Sequence, residues 1–470
     1  MKKIKIYTLV LLVSFFATGC SDWLDGAQPK DKNLEDKQFS TEIGINSVMN
    51  GLYRSLADEN LYGGKLTITD IELLAHYYYY EEDLSSKPNM AHFNYVSNYQ
   101  YTTKEAQKIF SDIWTAAYKS IFNVNDFIKH VEQSTVAPED RKKILLGEAY
   151  GLRAFIHLDL FRLFGDKTAE KTLPYNQSPE VIPHERISAD EFFTLLLQDI
   201  NTAQTLLDND PIRTEGKILD LTNAGNYVSN TEIFATYLRN YRMNYYAVLA
   251  LKARALMFKG EVPEAAQVAN TVLRESFSEN AGSGKPFYWV DKTKIEADGN
   301  RNYIFYTEVL FGINNLDIYT RWENYTNGTL LGQTYTVYYE NLQNNIYRND
   351  YTTGDISLWE DVRAKQWTPS KIGLGQYVSR KFEHFAYDSI NDPKEYFQPL
   401  IRMSEMHYIV AEDHIRKGQV QEAVHDLNIF RFHRGSQYGS LPDEAATTEA
   451  QAYDILETEY YKEFFGEGQA

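Results

Sequence analysis

Cysteine and positive charge are the two things that this 470-residue chain has least of. Its only cysteine is Cys20, so no disulfide can form within the chain and packing has to hold the fold. Lysine and arginine number 47 against 65 aspartate and glutamate residues, which gives a net charge of -18. A surface of that sign repels phosphate backbones, so we do not expect nucleic acid as a partner.

Long apolar runs are almost as scarce, and the one at the start of the chain is too short to span a bilayer. It extends from Ile6 to Ala17, behind three lysines and just ahead of Cys20. This pattern is typical of a secretory signal over residues 1–19, with Cys20 as the lipidation site of a bacterial lipoprotein and residues 20–40 as its tether. The alternative for Cys20 is a lone buried thiol.

Motifs for catalysis or metal binding are also missing. Pairs such as Glu457 and Glu459, or the acidic run Glu81 to Asp83, could be imagined as the acid and base of a glycosidase, but we interpret them as solvated charges. His407 and His414 lie seven residues apart on a predicted helix without a third ligand or an H-E-x-x-H motif. We therefore predict no catalytic residue, no metal and no cofactor.

What the chain does contain is a repeated helical hairpin. The segment Lys259 to Ala265 returns in similar form as Lys417 to Ala423, and each copy lies between two apolar, alanine-bearing segments. Gly260 suits the left-handed position after a helix, and Pro263 suits the first turn of the next one. The unit resembles a tetratricopeptide repeat, but the copies are too far apart for a regular array, so long insertions must separate the pairs.

Apolar residues at helical spacing predict further helices and a mainly α fold with long irregular insertions and a few short strands. The predicted helices are 41–56, 105–131, 138–166, 188–207, 400–417, 420–433 and about 445–465. Residues 61–101 and 280–399 lack a steady period. Most of the first stretch is predicted as loop, and the second as a compact irregular region with short strands and functional surface. The composition does not break after the tether, so 41–470 is predicted as one domain.

Ordered motifs along the chain resemble those of the SusD/RagB family. The motifs are Gly147-Glu148-Ala149, Leu152-Arg153-Ala154, Phe164-Gly165-Asp166, Asp199 to Ala203, Arg242 to Ala247, Asp361-Val362-Arg363, Arg380-Lys381-Phe382 and Leu400 to Met406. The resemblance implies four tetratricopeptide-like helix pairs with an irregular face. It also implies a non-catalytic lipoprotein on the surface of the outer membrane of a Bacteroidetes-type cell.

By the same resemblance, the protein would bind a glycan or oligosaccharide, or sometimes a peptide, and deliver it to a partner TonB-dependent transporter of the SusC type. The family usually continues beyond a Glu-Gly motif like Glu467-Gly468, so the resemblance also implies a truncated C-terminus. Met243 and Tyr246 depart from the simpler pattern that the family often has, which weakens any assignment to a subfamily.

Aromatic residues are the most plentiful candidates for ligand binding, at 14% of the chain. A flat ring can stack on the C–H face of a sugar while neighbouring polar groups bind its hydroxyls. The candidates in the two irregular stretches are Tyr95, Tyr99, Tyr101, Trp289, Trp322 and Tyr325. The alternative for each is a ring that pins its loop to the helices. Core packing is the simpler interpretation of the run Tyr77 to Tyr80.

Two other functions remain open at this point. A repeat scaffold that assembles envelope proteins would bind a protein or peptide on its helix pairs and have no affinity for glycans. An all-helical glycosidase would release products from a polysaccharide.

Overall fold

The structure is a computed structural model that describes residues 38–78, 91–214, 238–295, 302–326, 335–348, 354–371, 374–383, 394–436 and 441–469. The predicted signal peptide, Cys20 and the tether up to residue 37 lie outside this range, as do the acidic run Glu81 to Asp83 and Tyr79 and Tyr80.

Helices dominate the described chain, which confirms the predicted fold class. The α-helices of five residues or more are α1 (Glu42–Leu56), α2 (Asp70–Leu74), α3 (Ala91–Ser97), α4 (Lys104–Gln133), α5 (Glu139–Phe164), α6 (Ala189–Leu206), α7 (Tyr245–Lys259), α8 (Val262–Ser276), α9 (Ile318–Thr326), α10 (Met403–Arg416), α11 (Val420–Phe432) and α12 (Glu449–Phe464). Among these residues, no helix is both long enough and apolar enough to cross a membrane.

Side-chain caps and glycines explain where several helices begin and end. The N–H of Gly44 donates to Thr41 Oγ1 (3.1 Å) ahead of α1, and Thr448 forms a capping box ahead of α12. Gly260 follows α7 with a φ of +100°, and Gly418 holds a φ of +73° at the matching place between α10 and α11. Both copies of the repeat are therefore helical hairpins closed by a left-handed glycine, as predicted.

The helices pack side by side in chain order, as α4 on α5, α5 on α6, α7 on α8 and α10 on α11. Between these pairs, α6 also contacts α7 and α8 contacts α10. Their shared interior is one large apolar cluster that includes Ile45, Leu152, Leu251, Ile409 and Leu456, and we call it the helical core.

Glycines allow the closest helix contacts in this core. A Cβ atom at Gly147 would lie 2.6 Å from Leu207 Cγ, and one at Gly151 would lie 2.5 Å from Met243 Cγ. Any side chain at either position would have to push its neighbour away, so both glycines set the distance between α5 and the chain that packs on it.

The irregular stretches contain short strands in three small sheets. The strands are β1 (Phe277–Ser278), β2 (Phe287–Tyr288), β3 (Val309–Asn314), β4 (Val337–Tyr338), β5 (Trp367–Pro369), β6 (Gln376–Ser379) and β7 (Phe397–Arg402). β1 and β2 pair in parallel, β3 and β7 pair antiparallel, and the third sheet has the order β4-β6-β5. The predicted helix over 400–417 is therefore wrong at its start, because residues up to Arg402 form a strand against β3.

A second apolar cluster, which we call the insertion core, joins the two irregular stretches. It includes Tyr78 from the first stretch and Trp322, Trp359 and Val337 from the second, together with Phe465 after α12. Aromatic edges hold it together, with the rings of Tyr78 and Tyr335 4.8 Å apart and those of Trp367 and Phe465 4.8 Å apart. The loops thus carry a core of their own.

Buried ion pairs lie where the two cores meet. Arg363, Arg402 and Arg434 all bind the carboxylate of Glu463, with Arg434 Nη2 2.7 Å from Glu463 Oε1. Glu459, one turn earlier on α12, contacts Arg431 and Lys462. We call this set the arginine cluster.

The buried charges correct one prediction. Glu459 is not a solvated charge, because its side chain is 0% exposed and three cations surround it. Their charges hold the pKa of Glu459 below its usual range in spite of the burial, and Arg434 and Arg402 do the same for the pKa of Glu463.

Candidate functional site

The two tryptophans among the predicted ligand-binding residues lie in the protein interior. The ring of Trp289 is sandwiched between those of His407 (5.1 Å) and His433 (4.3 Å), and 6% of the residue is exposed. Trp322 is 3% exposed, and its Nε1 donates to the carbonyl oxygen of Ser379 (2.9 Å). Neither ring has a free face, so neither is proposed to stack on a sugar.

Tyr95 and Tyr325 occupy intermediate positions. Tyr325 is half-buried against Tyr335, and its hydroxyl donates to Glu59 Oε1 (3.0 Å). Tyr95 is half-buried on α3 and makes no ring contact with another described aromatic residue. These two residues are not brought together, and neither joins the exposed rings described next.

Tyr99 and Tyr101 are the candidates that the structure places at the surface. They are 52% and 47% exposed, and their rings meet edge to face with centroids 6.1 Å apart. Tyr101 in turn rests on Phe110 of α4, at 5.4 Å. Both residues are therefore about half exposed, and Phe110 of α4 supports the ring of Tyr101.

The ring of Tyr99 also stacks on His76, with centroids 5.5 Å apart. Two hydrogen bonds connect the segments that carry these rings. Tyr99 Oη donates to the carbonyl oxygen of Leu74 (3.1 Å), and His76 Nε2 donates to the carbonyl oxygen of Ser97 (2.8 Å). Tyr99 and His76 hold positive φ angles of 55° and 57°, a conformation that non-glycine residues rarely adopt.

Positive φ is not confined to this surface. Phe305 and Tyr396 share it, and Phe305 lies in the interior against Arg434. Strain therefore does not identify a site by itself, and the exposure of the two rings is the observation that matters.

A groove of about 340 Å³ adjoins this exposed surface. Its lining residues are Ala75, Tyr77, Glu412, Tyr453, Leu456, Glu457, Tyr460, Tyr461 and Gln469. Ala75 and Tyr77 flank His76 in the chain, and the rings of Tyr77 and Tyr461 lie 4.9 Å apart. We call the groove together with His76, Tyr99 and Tyr101 the tyrosine groove.

The charges in the groove are few and partly compensated. Glu412 binds Arg416 (2.6 Å), while Glu457 is exposed on α12. A phenol of ordinary pKa is already protonated at neutral pH, and burial raises the pKa of Tyr461 and of Tyr453 further, so both can donate hydrogen bonds. The groove thus offers flat rings and neutral hydroxyl groups, which suits a polyhydroxylated ligand with apolar faces.

The candidates named from the sequence include Tyr99 and Tyr101 but no residue on the C-terminal side of the groove. Tyr453, Glu457, Tyr460 and Tyr461 follow one another at helical spacing along a single stripe of α12. That stripe was visible in the sequence, but only the fold shows that Tyr461 packs on Tyr77 while Tyr453 and Tyr460 border the helical core.

Two family models match most of the chain. One, described as starch-binding associating with outer membrane, covers residues 22–219, and the other, described as the SusD family, covers residues 269–470. The chain belongs to the SusD/RagB family. SusD-like protein P2 of Formosa agariphila is 29% identical over 202 residues, a match that spans 40% of this chain and 37% of that relative.

Solved SusD-like structures share the fold over almost the whole chain. A SusD superfamily protein of Bacteroides thetaiotaomicron superposes with a TM-score of 0.63 at 19% identity, covering 91% of this chain and 87% of the other. Surface glycan-binding protein A of Bacteroides fluxus gives 0.58 at 20% identity, with 92% and 87% covered. At such identities the likeness concerns the fold, so the ligand has to be argued from the residues of this chain.

Proposed function

We propose that this SusD/RagB protein binds an oligosaccharide in the tyrosine groove and delivers it to a TonB-dependent transporter in the outer membrane. The observation that carries the proposal is the pair of exposed, supported rings of Tyr99 and Tyr101 beside a groove lined by further tyrosines. Rings of this kind stack on sugars without any reaction, so the role is binding and not catalysis.

The surroundings of the rings favour a binding site over simple loop anchoring. A ring that only pins a loop gains most when it is fully buried, as Tyr78 and Trp322 are. Tyr99 and Tyr101 leave about half of their surface in water although Phe110 and His76 hold them in place. Preformed, exposed aromatic surface lowers the entropic cost of binding a flat ligand.

Location and delivery come from the family and from the start of the chain. The first family model is described as associating with the outer membrane. Cys20 would anchor the protein there through lipid, and a SusC-like transporter would receive the ligand. Isolation of the protein from native membranes should bring such a transporter with it.

Affinity electrophoresis tests the groove. The chain from Ser21 onward is run through gels that contain neutral polysaccharides, starch among them, beside Tyr99→Ala and Tyr461→Ala variants. Because each ring removed should cost roughly 1 kcal/mol of binding, retardation should fall about fivefold in each variant. Phe432→Ala is the matched control, because Phe432 is 58% exposed and lies at the end of α11, outside the groove.

Equal retardation of all four proteins would move the site elsewhere on the surface. Absence of retardation by any polysaccharide, together with capture of a peptide, would favour the scaffold function. Release of sugar from the gel would favour a glycosidase.

A further inference from the structure

A second cleft lies in the insertion core, away from the tyrosine groove. Its volume is about 590 Å³, within the range of about 300–1,000 Å³ usual for small-molecule sites. Tyr338, Tyr339, Glu340, Asn341, Asn344 and Asn345 form one wall. We call it the carboxamide cleft, because three of these six side chains are carboxamides.

The carboxamides sit on a π-helical turn. Residues Leu342–Ile346 form the turn, in which the N–H of Tyr347 donates to the carbonyl oxygen of Leu342 (2.8 Å) across five residues. Leu342 and Ile346 are buried, whereas Asn344 and Asn345 are exposed. Turns of this kind are rare and often occur at functional sites, since the extra residue redirects side chains.

The facing wall is a short segment that ends in Gly375. Gly375 has a φ of +73°, and its carbonyl oxygen accepts a hydrogen bond from the N–H of Tyr339 (2.8 Å). A Cβ atom there would lie 4.0 Å from Cδ1 of Tyr338, so this backbone lies alongside the ring. Leu374 beside it is fully exposed. Backbone bonds therefore fix both walls, and an apolar side chain stands at the rim.

The polar groups of the cleft are only partly used by the protein. Asn345 Nδ2 donates to Asn341 Oδ1 (2.6 Å), which leaves the oxygen of Asn345 as an acceptor. The side chains of Asn344 and Glu340 make no hydrogen bond or ion pair with the described residues. A carboxamide has donors and an acceptor side by side, which matches two neighbouring hydroxyl groups of a sugar.

The charge of the cleft selects among sugars. Glu340 lies in its wall. Burial and, to a smaller extent, the charge of Asp355 raise the pKa of Tyr377, whose ring packs on Tyr339 at 5.7 Å. Among the described residues, the lining contains no lysine or arginine. A uronate or sulfated sugar would bring its negative charge next to Glu340 without compensation, and that is unfavourable.

We infer that the carboxamide cleft is a second carbohydrate site, which holds a neutral mono- or disaccharide unit mainly through hydrogen bonds. This inference rests on the proposed function only for the class of ligand, because none of the residues of the carboxamide cleft belongs to the tyrosine groove.

Saturation-transfer difference NMR on the chain from Ser21 onward tests the site. The probes are maltose, cellobiose and mannobiose, with polygalacturonate fragments as the anionic comparison. An Asn344→Ala/Asn345→Ala variant should bind the preferred disaccharide roughly 3- to 10-fold more weakly for each hydrogen bond removed. Asn201→Ala on the exposed face of α6 is the control and should bind like the parent protein.

The outcomes separate the two sites. If the asparagine variant binds the disaccharide more weakly while Tyr99→Ala binds it like the parent protein, the disaccharide binds in the carboxamide cleft and not in the tyrosine groove. Weaker binding in Tyr99→Ala alone overturns the cleft and leaves the proposed function in place. If polygalacturonate fragments bind as tightly as the neutral disaccharides or more tightly, and this binding depends on Asn344, the proposal that the cleft prefers neutral sugars is overturned. Failure of the parent protein to bind any sugar overturns both sites.

Discussion

The helical core and the insertion core solve the same packing problem with different side chains. The helical core consists mostly of small and aliphatic residues such as Ala250, Leu251 and Ala269, which repeat with the period of a helix. The insertion core has a larger share of rings, such as those of Trp322, Trp359 and Trp367, which follow no period. Irregular backbone leaves gaps of irregular shape, and large flat rings with a polar edge can fill them while bonding to nearby carbonyl groups.

Buried ion pairs occur in both regions. Arg153 binds Asp199 (2.6 Å) between α5 and α6, and Arg254 binds Glu405 (2.7 Å) between α7 and α10, whereas the arginine cluster joins the two cores. A buried ion pair is not in itself strongly stabilising. Removal of one partner, however, leaves the other charge buried and uncompensated, which is strongly destabilising. Single charged residues should therefore matter in both regions, and most at Glu463, whose carboxylate three arginines share.

The largest expected effect is at Glu463. Glu463→Ala leaves Arg363, Arg402 and Arg434 without their shared carboxylate, so the free energy of unfolding should fall by roughly 3–5 kcal/mol. Glu457→Ala on the same helix is the control and should change it by less than about 0.5 kcal/mol. Denaturant titration measures both. Similar stabilities for the two variants would mean that the arginine cluster does not hold the cores together.

The two cores should also differ in the sign of their pH dependence. Burial raises the pKa of Glu72, on α2, to about 8 from 4.5. The N–H of Gly466 donates a hydrogen bond to Oε1 of Glu72 (3.0 Å). The folded state keeps a proton that the unfolded state loses between these values. Stability should therefore fall as pH rises from about 4.5 to about 8, by at most about 1.4 kcal/mol per pH unit.

His157 in the helical core acts in the opposite direction. Burial lowers its pKa to about 3 from 6.5, and its Nε2 accepts a hydrogen bond from the N–H of Asn176 (3.0 Å) that protonation would break. Stability should fall as pH drops from about 6.5 towards about 3.

Glu72→Gln should flatten the alkaline side of the stability profile, and His157→Gln the acid side. Unfolding free energies measured from pH 4 to pH 8.5 decide this. An unchanged alkaline slope in Glu72→Gln would contradict a protonated Glu72.

A smaller effect is expected from glycines in helices. Gly151→Ala should lower stability by about 1–2 kcal/mol, because its Cβ would lie 2.5 Å from Met243 Cγ and the clash outweighs the gain in helix propensity. Gly51→Ala on α1 meets nothing within 4 Å and should raise stability by up to about 1 kcal/mol. Thermal unfolding compares the two. A stabilising Gly151→Ala would show that the helices can separate without cost.

The smallest effect on stability is expected at the tyrosine groove. Tyr99→Ala removes a ring that is half in water and replaces one non-glycine residue at a positive φ by another, so stability should change by less than about 1 kcal/mol. A larger loss, measured by thermal unfolding beside the gel assay, would show that the ring anchors its loop.

The regular half of the fold could be predicted because it depends on local rules. The helices around the repeated hairpin begin and end near the predicted residues, since caps, a left-handed glycine and the apolar period act over a few positions. The start of the helix after Leu400 was wrong because β7 is set by its partner β3, far away in the chain. Glu459 was misjudged for a similar reason, since the cations that bury it come from other segments.

For the candidate site, the sequence predicted the type of residue, loop aromatics, but not which individual residues lie at the surface. The sequence by itself determined the long paired helices, the family and the number of loop aromatics, because periodicity, motif order and composition are local properties. Only the tertiary structure decided that Trp289 and Trp322 face inward while Tyr99 and Tyr101 face water, and that Tyr461 joins them. In irregular backbone no period relates a residue to a face, so its exposure depends on which distant segments pack against it.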